Sequence, residues 1–131
     1  MNEIKKIDND IIALLHNKTP SLNPPKPYER EIFLFETYVA GTTHIPNILD
    51  LEVHLKKGDH LKFRREPDNP YDEKAIVIRT ENGAKIGYVP KADNIIFSRL
   101  MDAGKLLFGK IDDKEILNNW VKIYISVYLL D

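Results

Sequence analysis

Residues 64–90 read RREPDNPYDEKAIVIRTENGAKIGYVP, and this stretch decides how the rest of the chain is interpreted. It contains a loop with two prolines, a predicted strand from Ala75 to Arg79, a turn at Asn82-Gly83 and a partner strand from Lys85 to Val89. Asn-Gly between two apolar segments is a strong indication of a tight β-hairpin. The stretch therefore predicts an antiparallel sheet.

The loop before this hairpin is restricted by Pro67 and Pro70, each of which fixes a backbone angle. The Asp and Asn between the prolines are residue types that hydrogen-bond to nearby backbone and hold turns. Such a loop loses little conformational entropy on ordering, so it holds Tyr71 and Asp72 in a defined direction. Two interpretations stay open: the loop presents these side chains to a ligand, or Tyr71 plugs the interior and Asp72 caps a turn.

Alternation of apolar and polar residues predicts further strands on both sides of this stretch. An Asp-Asp-Lys turn at residues 112–114 is expected to separate the last two strands. Phe33 and Phe35 are expected on one side of the first strand, and Leu51–Leu55 fits either a strand or a short helix. The predicted strands are Ile32–Val39, Leu61–Arg65, Leu106–Ile111 and Val121–Leu129.

Two segments have helical periodicity. Apolar residues recur every three or four positions over residues 1–18, and a proline-rich linker at residues 19–27 follows. This N-terminal accessory helix either packs on the domain or contacts a protein partner. Pro90 opens the second helix, whose expected apolar side includes Ile95, Ile96 and Phe97, and Gly104 ends it. Short strands with one inserted helix predict a mainly β fold, a small OB-like or SH3-like barrel, over residues 28–131.

Composition removes several classes of function. The chain has 131 residues and no cysteine, which excludes disulfides and thiolate metal sites. Its longest apolar run, Ile11–Leu15, is far below the roughly 18 residues of a membrane span, and the N-terminus lacks a signal peptide pattern. We therefore expect a cytoplasmic protein that does not enter membranes. The net charge of −1 excludes a strongly basic coat but leaves room for a local basic groove.

The sequence also contains four short segments in a fixed order: Val39–Gly41, Arg65–Asp72, Lys74–Ile76 and Ile86–Pro90. Together they resemble the HIRAN domain, and the resemblance covers about residues 33–130. It implies an OB-like barrel. HIRAN domains occur in remodelling-helicase-like ATPases of DNA damage tolerance and as short free-standing bacterial proteins, and the eukaryotic members capture the 3′ end of single-stranded DNA.

The resemblance also implies site residues. Tyr71 would stack on the terminal base, and Asp72 would accept a hydrogen bond from the free 3′-hydroxyl. Thr43 and His44 occupy the positions of a basic and an aromatic residue, so the charge is lost at the first of these positions. The remaining positions that match the family pattern are Tyr88, Lys91 and Trp120.

Basic residues supply candidate phosphate contacts independently of the resemblance. Residues 54–65 hold five Lys or Arg and one acid, and we expect Lys62, Arg64 and Arg65 to contact phosphate together with Lys91. The leading hypothesis is a DNA-binding module for single strands or 3′ ends in repair or replication. The alternative is a protein-interaction module that keeps the barrel and lacks a DNA groove.

Catalysis has little support in the sequence, and we predict that the domain is not an enzyme and needs no metal or cofactor. There is no phosphate-binding glycine loop of the ATPase type, and the four histidines lack metal-site spacing. A nuclease would have to hold Mg²⁺ with Asp68, Asp72 and Glu73, but no base or lysine accompanies them in a nuclease arrangement.

Overall fold

The structure, a computed structural model, describes residues 30–131. The predicted helix at residues 1–18 and the linker at residues 19–27 lie outside the described residues. The elements are β1 (Glu31–Tyr38), a 3₁₀ turn (Thr42–His44), α1 (Ile48–Glu52), β2 (His60–Arg65), β3 (Ile76–Thr80), β4 (Lys85–Tyr88), α2 (Lys91–Asp102), β5 (Leu106–Leu117) and β6 (Trp120–Leu130).

The six strands form one antiparallel sheet in the order β1-β6-β5-β2-β3-β4. The sheet curls so that its two edge strands meet beyond the end of β1. There, the backbones of Ala40 and Tyr88 exchange hydrogen bonds of 2.7 and 2.9 Å. The predicted mainly β, OB-like barrel is therefore confirmed.

Close approach of the two edges depends on Gly87. A Cβ atom at this position would overlap the carbonyl oxygen of Ala40 and the side chain of Val39. Only glycine lets β4 come this near to the other edge of the sheet. The glycine in the Ile86–Pro90 segment thus has a structural role in closing the barrel.

Apolar residues on alternating positions fill the barrel interior. On β6, Val121, Ile123, Ile125 and Val127 are all fully buried, as the strict period of two in this strand predicts. Helix α2 covers one end of the barrel, where the ring of Phe97 packs edge-on against Phe35. This core positions both the loop at residues 66–75 and the start of α2.

The predicted turn at residues 112–114 is wrong. β5 continues to Leu117. The register shifts between Ile111 and Asp113, so the two aspartates lie at a β-bulge within the strand. The reversal comes later, before Trp120, where Asn118 adopts a positive φ of 61°. Asparagine tolerates this backbone conformation, and that is the local signal for the turn.

The first strand also departs from its predicted alternation. A register shift between Phe33 and Phe35 sends the two rings to opposite sides, with Phe33 against Tyr128 and Phe35 against α2. Of the two possibilities for Leu51–Leu55, the helical one is closer, since α1 ends at Glu52.

Helix α2 buries only part of the expected apolar side: Phe97 lies in the core and Leu100 and Met101 pack against it. Ile95 and Ile96 are 45% and 65% exposed, while Asn94, Phe97 and Ser98 are buried. Polar residues are tolerated on this face because they are hydrogen-bonded: Ser98 donates to the Ile95 carbonyl at 3.0 Å, and Asn94 has a partner in the loop before β3. Within residues 30–131 this 12-residue helix is the longest, and none reaches the length and apolarity that crossing a bilayer requires.

Candidate functional site

The loop between β2 and β3 is held by side chain to backbone hydrogen bonds. The Asn69 side-chain oxygen accepts from the backbone N–H groups of Tyr71 and Asp72 at 2.8 and 3.2 Å, while its amide donates to Glu66 at 3.1 Å. This is the turn chemistry expected of Asn between two prolines. The loop is thereby fixed at its centre.

Tyr71 stands at the tip of this loop with its side chain in solvent. The residue is 87% exposed, the largest exposure among the large hydrophobic and aromatic residues of the described chain. The interpretation of Tyr71 as a plug of the barrel is therefore wrong. A tyrosine ring this exposed adds nothing to the core and is available to stack on a ligand.

Asp72 both caps the turn and faces α2. One carboxylate oxygen accepts from the backbone N–H of Lys74 at 2.9 Å, and the other accepts from the Asn94 amide at 2.8 Å. The hydrogen bond from Asn94 is the main cause that holds the pKa of Asp72 below its ordinary value, followed by the bond from Lys74; the charge of Lys91 adds to them. Asp72 is therefore an anion at neutral pH.

These residues line a cleft of about 780 Å³ at the junction of the loop, the 3₁₀ turn and the start of α2. We call it the loop cleft. Of the residues predicted from the sequence, it brings together His44, Tyr71, Asp72, Tyr88 and Lys91. It also contains Glu66, Asp68 and Asn94.

Tyr88 forms part of the cleft wall through a polar chain. Its hydroxyl donates to Glu66 at 2.8 Å and accepts from the Lys85 ammonium group at 2.9 Å. Burial disfavours the ionised form of Glu66, but the hydrogen bonds from Asn69 and Tyr88 and the charges of Lys85 and Arg79 outweigh it and lower the pKa. The half-buried ring of Tyr88 is thus fixed by partners on both sides of its hydroxyl.

Thr43 and Trp120 lie elsewhere. They line a second groove of about 860 Å³ with residues of α1 and the β5–β6 turn. The 3₁₀ turn separates the two depressions, and Thr42 anchors it by donating to the Val121 carbonyl at 2.7 Å. Thr43 and His44 are adjacent in sequence but face different depressions.

Arg65 is occupied by structural contacts. Its guanidinium binds Asp102 of α2 at 2.9 and 3.2 Å and donates to the carbonyls of Glu73 and Ala75, both at 3.0 Å. Lys62 and Arg64 alternate with Arg65 along β2 and project from the opposite side of the strand, where both are exposed. The predicted basic group is therefore split between two faces.

The profile of the HIRAN domain family matches residues 32–130. The chain belongs to the HIRAN domain family. Comparison with curated protein sequences gave no significant match.

Solved structures with the same fold include a protein from Lactobacillus plantarum. That crystal structure is 25% identical to this chain, covers 76% of it and 95% of its own chain, and superposes with a TM-score of 0.71. The crystal structure of the human HLTF HIRAN domain is 17% identical, with coverage of 77% and 81% and a TM-score of 0.58. The HLTF HIRAN domain in its DNA-bound conformation, solved by NMR, is 17% identical, with coverage of 77% and 80% and a TM-score of 0.53.

Several residues of this HIRAN domain site were missed by the sequence analysis. Asn94 holds Asp72, and its position in the stripe 94, 97, 98 and 101 of α2 is the signal that could have placed it inside. Arg79 and Lys85 face each other across the β3–β4 hairpin, and the position of the Asn82-Gly83 turn predicts that pairing. Within residues 30–131, no group of three or more His, Asp or Glu side chains is arranged to hold a metal ion.

Proposed function

We propose that this HIRAN domain binds single-stranded DNA at a free 3′ end in the loop cleft, in a repair or replication setting. The terminal base stacks on Tyr71, and the 3′-hydroxyl donates a hydrogen bond to Asp72. The observation that carries the proposal is the exposed ring of Tyr71 beside an ionised carboxylate on a fixed loop. The DNA-bound conformation solved for the HLTF HIRAN domain supports nucleic acid as the ligand.

The hydrogen-bonding capacity of Asp72 supports recognition of a hydroxyl group. A carboxylate offers about four lone-pair positions, and the structure shows two donors on Asp72, one on each oxygen. Capacity therefore remains for a ligand donor. A 3′-phosphate has no comparable donor and carries negative charge, so this carboxylate repels it.

The start of α2 contributes Lys91 to the same cleft. A lysine here offers its charge to a backbone phosphate near the bound end, and the first turn of a helix favours anions in addition. His44, in the 3₁₀ turn after β1, contributes a ring to the cleft. The cleft thus offers the exposed ring of Tyr71 for stacking, a second ring at His44, the carboxylate of Asp72 as a hydroxyl acceptor and the lysine Lys91.

A second candidate is binding of a basic protein segment at the same cleft. Three carboxylates, those of Glu66, Asp68 and Asp72, line it against the single lysine Lys91. This charge balance favours cationic ligands, in line with the protein-interaction alternative. Absence of single-stranded DNA binding at low salt would exclude the first candidate function and favour this one.

The test compares two labelled oligonucleotides of one sequence, ending in a 3′-hydroxyl or a 3′-phosphate, by fluorescence anisotropy. We expect the wild type to prefer the hydroxyl end by about ten- to hundred-fold, the range that one hydrogen bond to a charged group provides. Asp72→Asn should lose most of this preference. Asp68→Asn removes the same charge from the same cleft and should keep it. Equal binding of both ends by the wild type would contradict end recognition.

A further inference from the structure

The outer face of β2, β3 and β4 carries a cluster of cations next to the loop cleft. In the sheet register, Lys62 on β2 lies opposite Arg79 on β3, and Arg79 lies opposite Lys85 on β4. Arg64 belongs to the neighbouring row, in which Val77 separates it from Tyr88. We call Lys62, Arg64, Arg79 and Lys85 the cationic strip.

These four side chains share one face of the sheet. Their strand neighbours Leu61, Ile78 and Ile86 are almost completely buried in the core, with exposures of 1%, 0% and 0%. Successive side chains on a strand point to opposite faces. Lys62, Arg79 and Lys85, each next to one of these buried residues, therefore project outward. The strip is therefore a property of the strand register and does not depend on a flexible loop.

The charge of the strip is weakly neutralised within the described chain. Lys62 lies 3.9 Å from Glu81, and both side chains are about 60% exposed, so this pair contributes little. Arg79 donates to the Gly83 carbonyl and Lys85 to the Tyr88 hydroxyl, which are both uncharged. The Glu66 carboxylate, which accepts from that hydroxyl, interacts with the charges of both cations and offsets part of them. The side chain of Arg64 is exposed and makes no hydrogen bond or ion pair with residues 30–131.

The strip has two defined ends. At one end Lys85 touches Tyr88, which belongs to the loop cleft. At the other end Lys62 pairs with Phe108 on β5, and the row continues with Tyr128 and Phe33. The rings of Phe108 and Tyr128 stack on each other with centroids 5.4 Å apart, so they form a packed apolar ridge. The ammonium group of Lys110 also reaches these rings, 4.6 Å from the centroid of Tyr128, but it is paired with Glu31 at 2.8 Å. The four cations of the strip therefore lie on the three strands nearest the cleft.

We propose that the cationic strip binds the backbone phosphates of the nucleotides that lead into the loop cleft. This inference rests on the proposed function and extends it to a longer stretch of the same strand. Three strands at about 4.8 Å spacing span about 10 Å, so the strip has room for about two or three consecutive backbone phosphates of a single strand. The ligand is therefore a single strand of about four to six nucleotides, within the site sizes of OB folds.

The test measures binding of 3′-hydroxyl oligonucleotides of two, four, six and ten nucleotides over a range of salt concentrations. We expect wild-type affinity to rise up to about six nucleotides and then to level off. The double variant Lys62→Gln/Arg64→Gln should flatten this rise. It should also reduce the slope of log affinity against log salt by about 1.4, since each phosphate contact to a single strand contributes about 0.7.

The control is Arg99→Gln/Lys105→Gln, which removes two exposed cations on and just after α2. This variant has the same net charge as the strip variant and should keep the wild-type length dependence. Circular dichroism shows whether both variants are folded; if the Lys62 and Arg64 pair fails this check, Lys62→Gln alone is measured with an expected slope change of about 0.7.

The outcomes separate this inference from the proposed function. An unchanged salt slope in the strip variant, with binding still lost on Tyr71→Ala, would overturn the strip and leave the cleft. A reduced slope in the strip variant, with no effect of Tyr71→Ala or of the 3′ group, would support the strip as a phosphate surface and overturn end recognition.

Discussion

A single exposed ring carries the affinity that we expect for the loop cleft. Tyr71→Ala should weaken binding of a 3′-hydroxyl oligonucleotide by about five- to hundred-fold, because a stacked base contributes about 1–3 kcal/mol. Thermal unfolding should not change, since the ring is 87% exposed and makes no core contact. Tyr71→Phe keeps the stacking surface and should bind like the wild type. Anisotropy and calorimetry measure the two effects, and equal binding by Tyr71→Ala would rule out stacking.

The carboxylate of Asp72 depends on its neighbour Asn94. Its pKa lies below the ordinary 3.8, so its contribution to stability is complete above that value and is lost as the pH falls through the folded pKa. Asn94→Ala removes the main stabilising hydrogen bond. We expect the pKa of Asp72 to rise toward 3.8 and the part of the stability that is lost on acidification to become smaller, because the folded and unfolded pKa values of this group move together.

Carbon-13 chemical shifts of the Asp72 carboxyl group during an acid titration check this expectation. Asn119→Ala, at an exposed asparagine in the β5–β6 turn, is the matched control and should leave the titration of Asp72 unchanged. An identical titration curve in Asn94→Ala would show that the hydrogen bond does not stabilise the anion.

For individual residues, the sequence predicted which side chains line the cleft better than it predicted their hydrogen-bond partners. Tyr71, Asp72, Tyr88 and Lys91 do line one cleft, because the proline-flanked loop and the Gly-Tyr-Val-Pro segment fix their backbone. The stripe of α2 indicates that Asn94 is buried, but its hydrogen bond to Asp72 spans 22 residues and leaves no local pattern in the sequence. Partners of this kind depend on tertiary packing.

Two adjacent arginines of β2, Arg64 and Arg65, have different roles. Arg65 connects β2 to α2 through its ion pair with Asp102, and it donates hydrogen bonds to the carbonyls of Glu73 and Ala75. Arg65→Met should lower the free energy of unfolding by about 1–3 kcal/mol, because two carbonyls lose a charged donor. Arg64→Met, one position earlier on the outer face, should leave stability nearly unchanged.

Urea denaturation measures the stability of both variants, and salt-dependent anisotropy measures their DNA binding. The result that would contradict the assignment is a stable Arg65→Met variant with a reduced salt slope, since the guanidinium would then contact phosphate. Adjacent arginines in one strand thus provide an internal comparison between a structural and a binding cation.

Strand periodicity was sufficient to locate β2, β3, β4 and β6, although burial alternates strictly only in β2 and in the first half of β6. It failed at the register shifts of β1 and β5. A single inserted residue changes the face of everything beyond it, as with Phe33, and a bulge in β5 absorbed the Asp-Asp-Lys segment that resembled a turn. Turn-forming residues are therefore ambiguous wherever a long strand has to bend.

The whole barrel depends on the contact between its two edges at Gly87. Gly87→Ala places a methyl group against the Ala40 carbonyl and the Val39 side chain, so the edges have to separate. We expect a loss of more than about 2 kcal/mol in the free energy of unfolding, from the overlap and the strained backbone together. Disordering of the loop cleft, which Ala40 and Tyr88 both line, should accompany it.

Gly104→Ala is the control for backbone strain alone. Gly104 has a positive φ of 92°, but a Cβ there meets no atom within 4 Å. Its substitution should cost about 1–2 kcal/mol and leave the Tyr88 amide resonance unchanged. Equal losses in both variants would show that edge contact does not determine stability.

The two ends of the described chain lie side by side. The backbones of Arg30 and Asp131 exchange hydrogen bonds of 3.1 and 2.8 Å, and their side chains form an ion pair. From this point β1 runs about 30 Å to Ala40 at the cleft, at about 3.4 Å per residue. An affinity tag or a sensor surface attached at residue 131 would therefore leave the binding face unobstructed. The same adjacency makes the domain suitable for circular permutation, with residues 131 and 30 joined by a short peptide and the chain opened at the Asn118 turn.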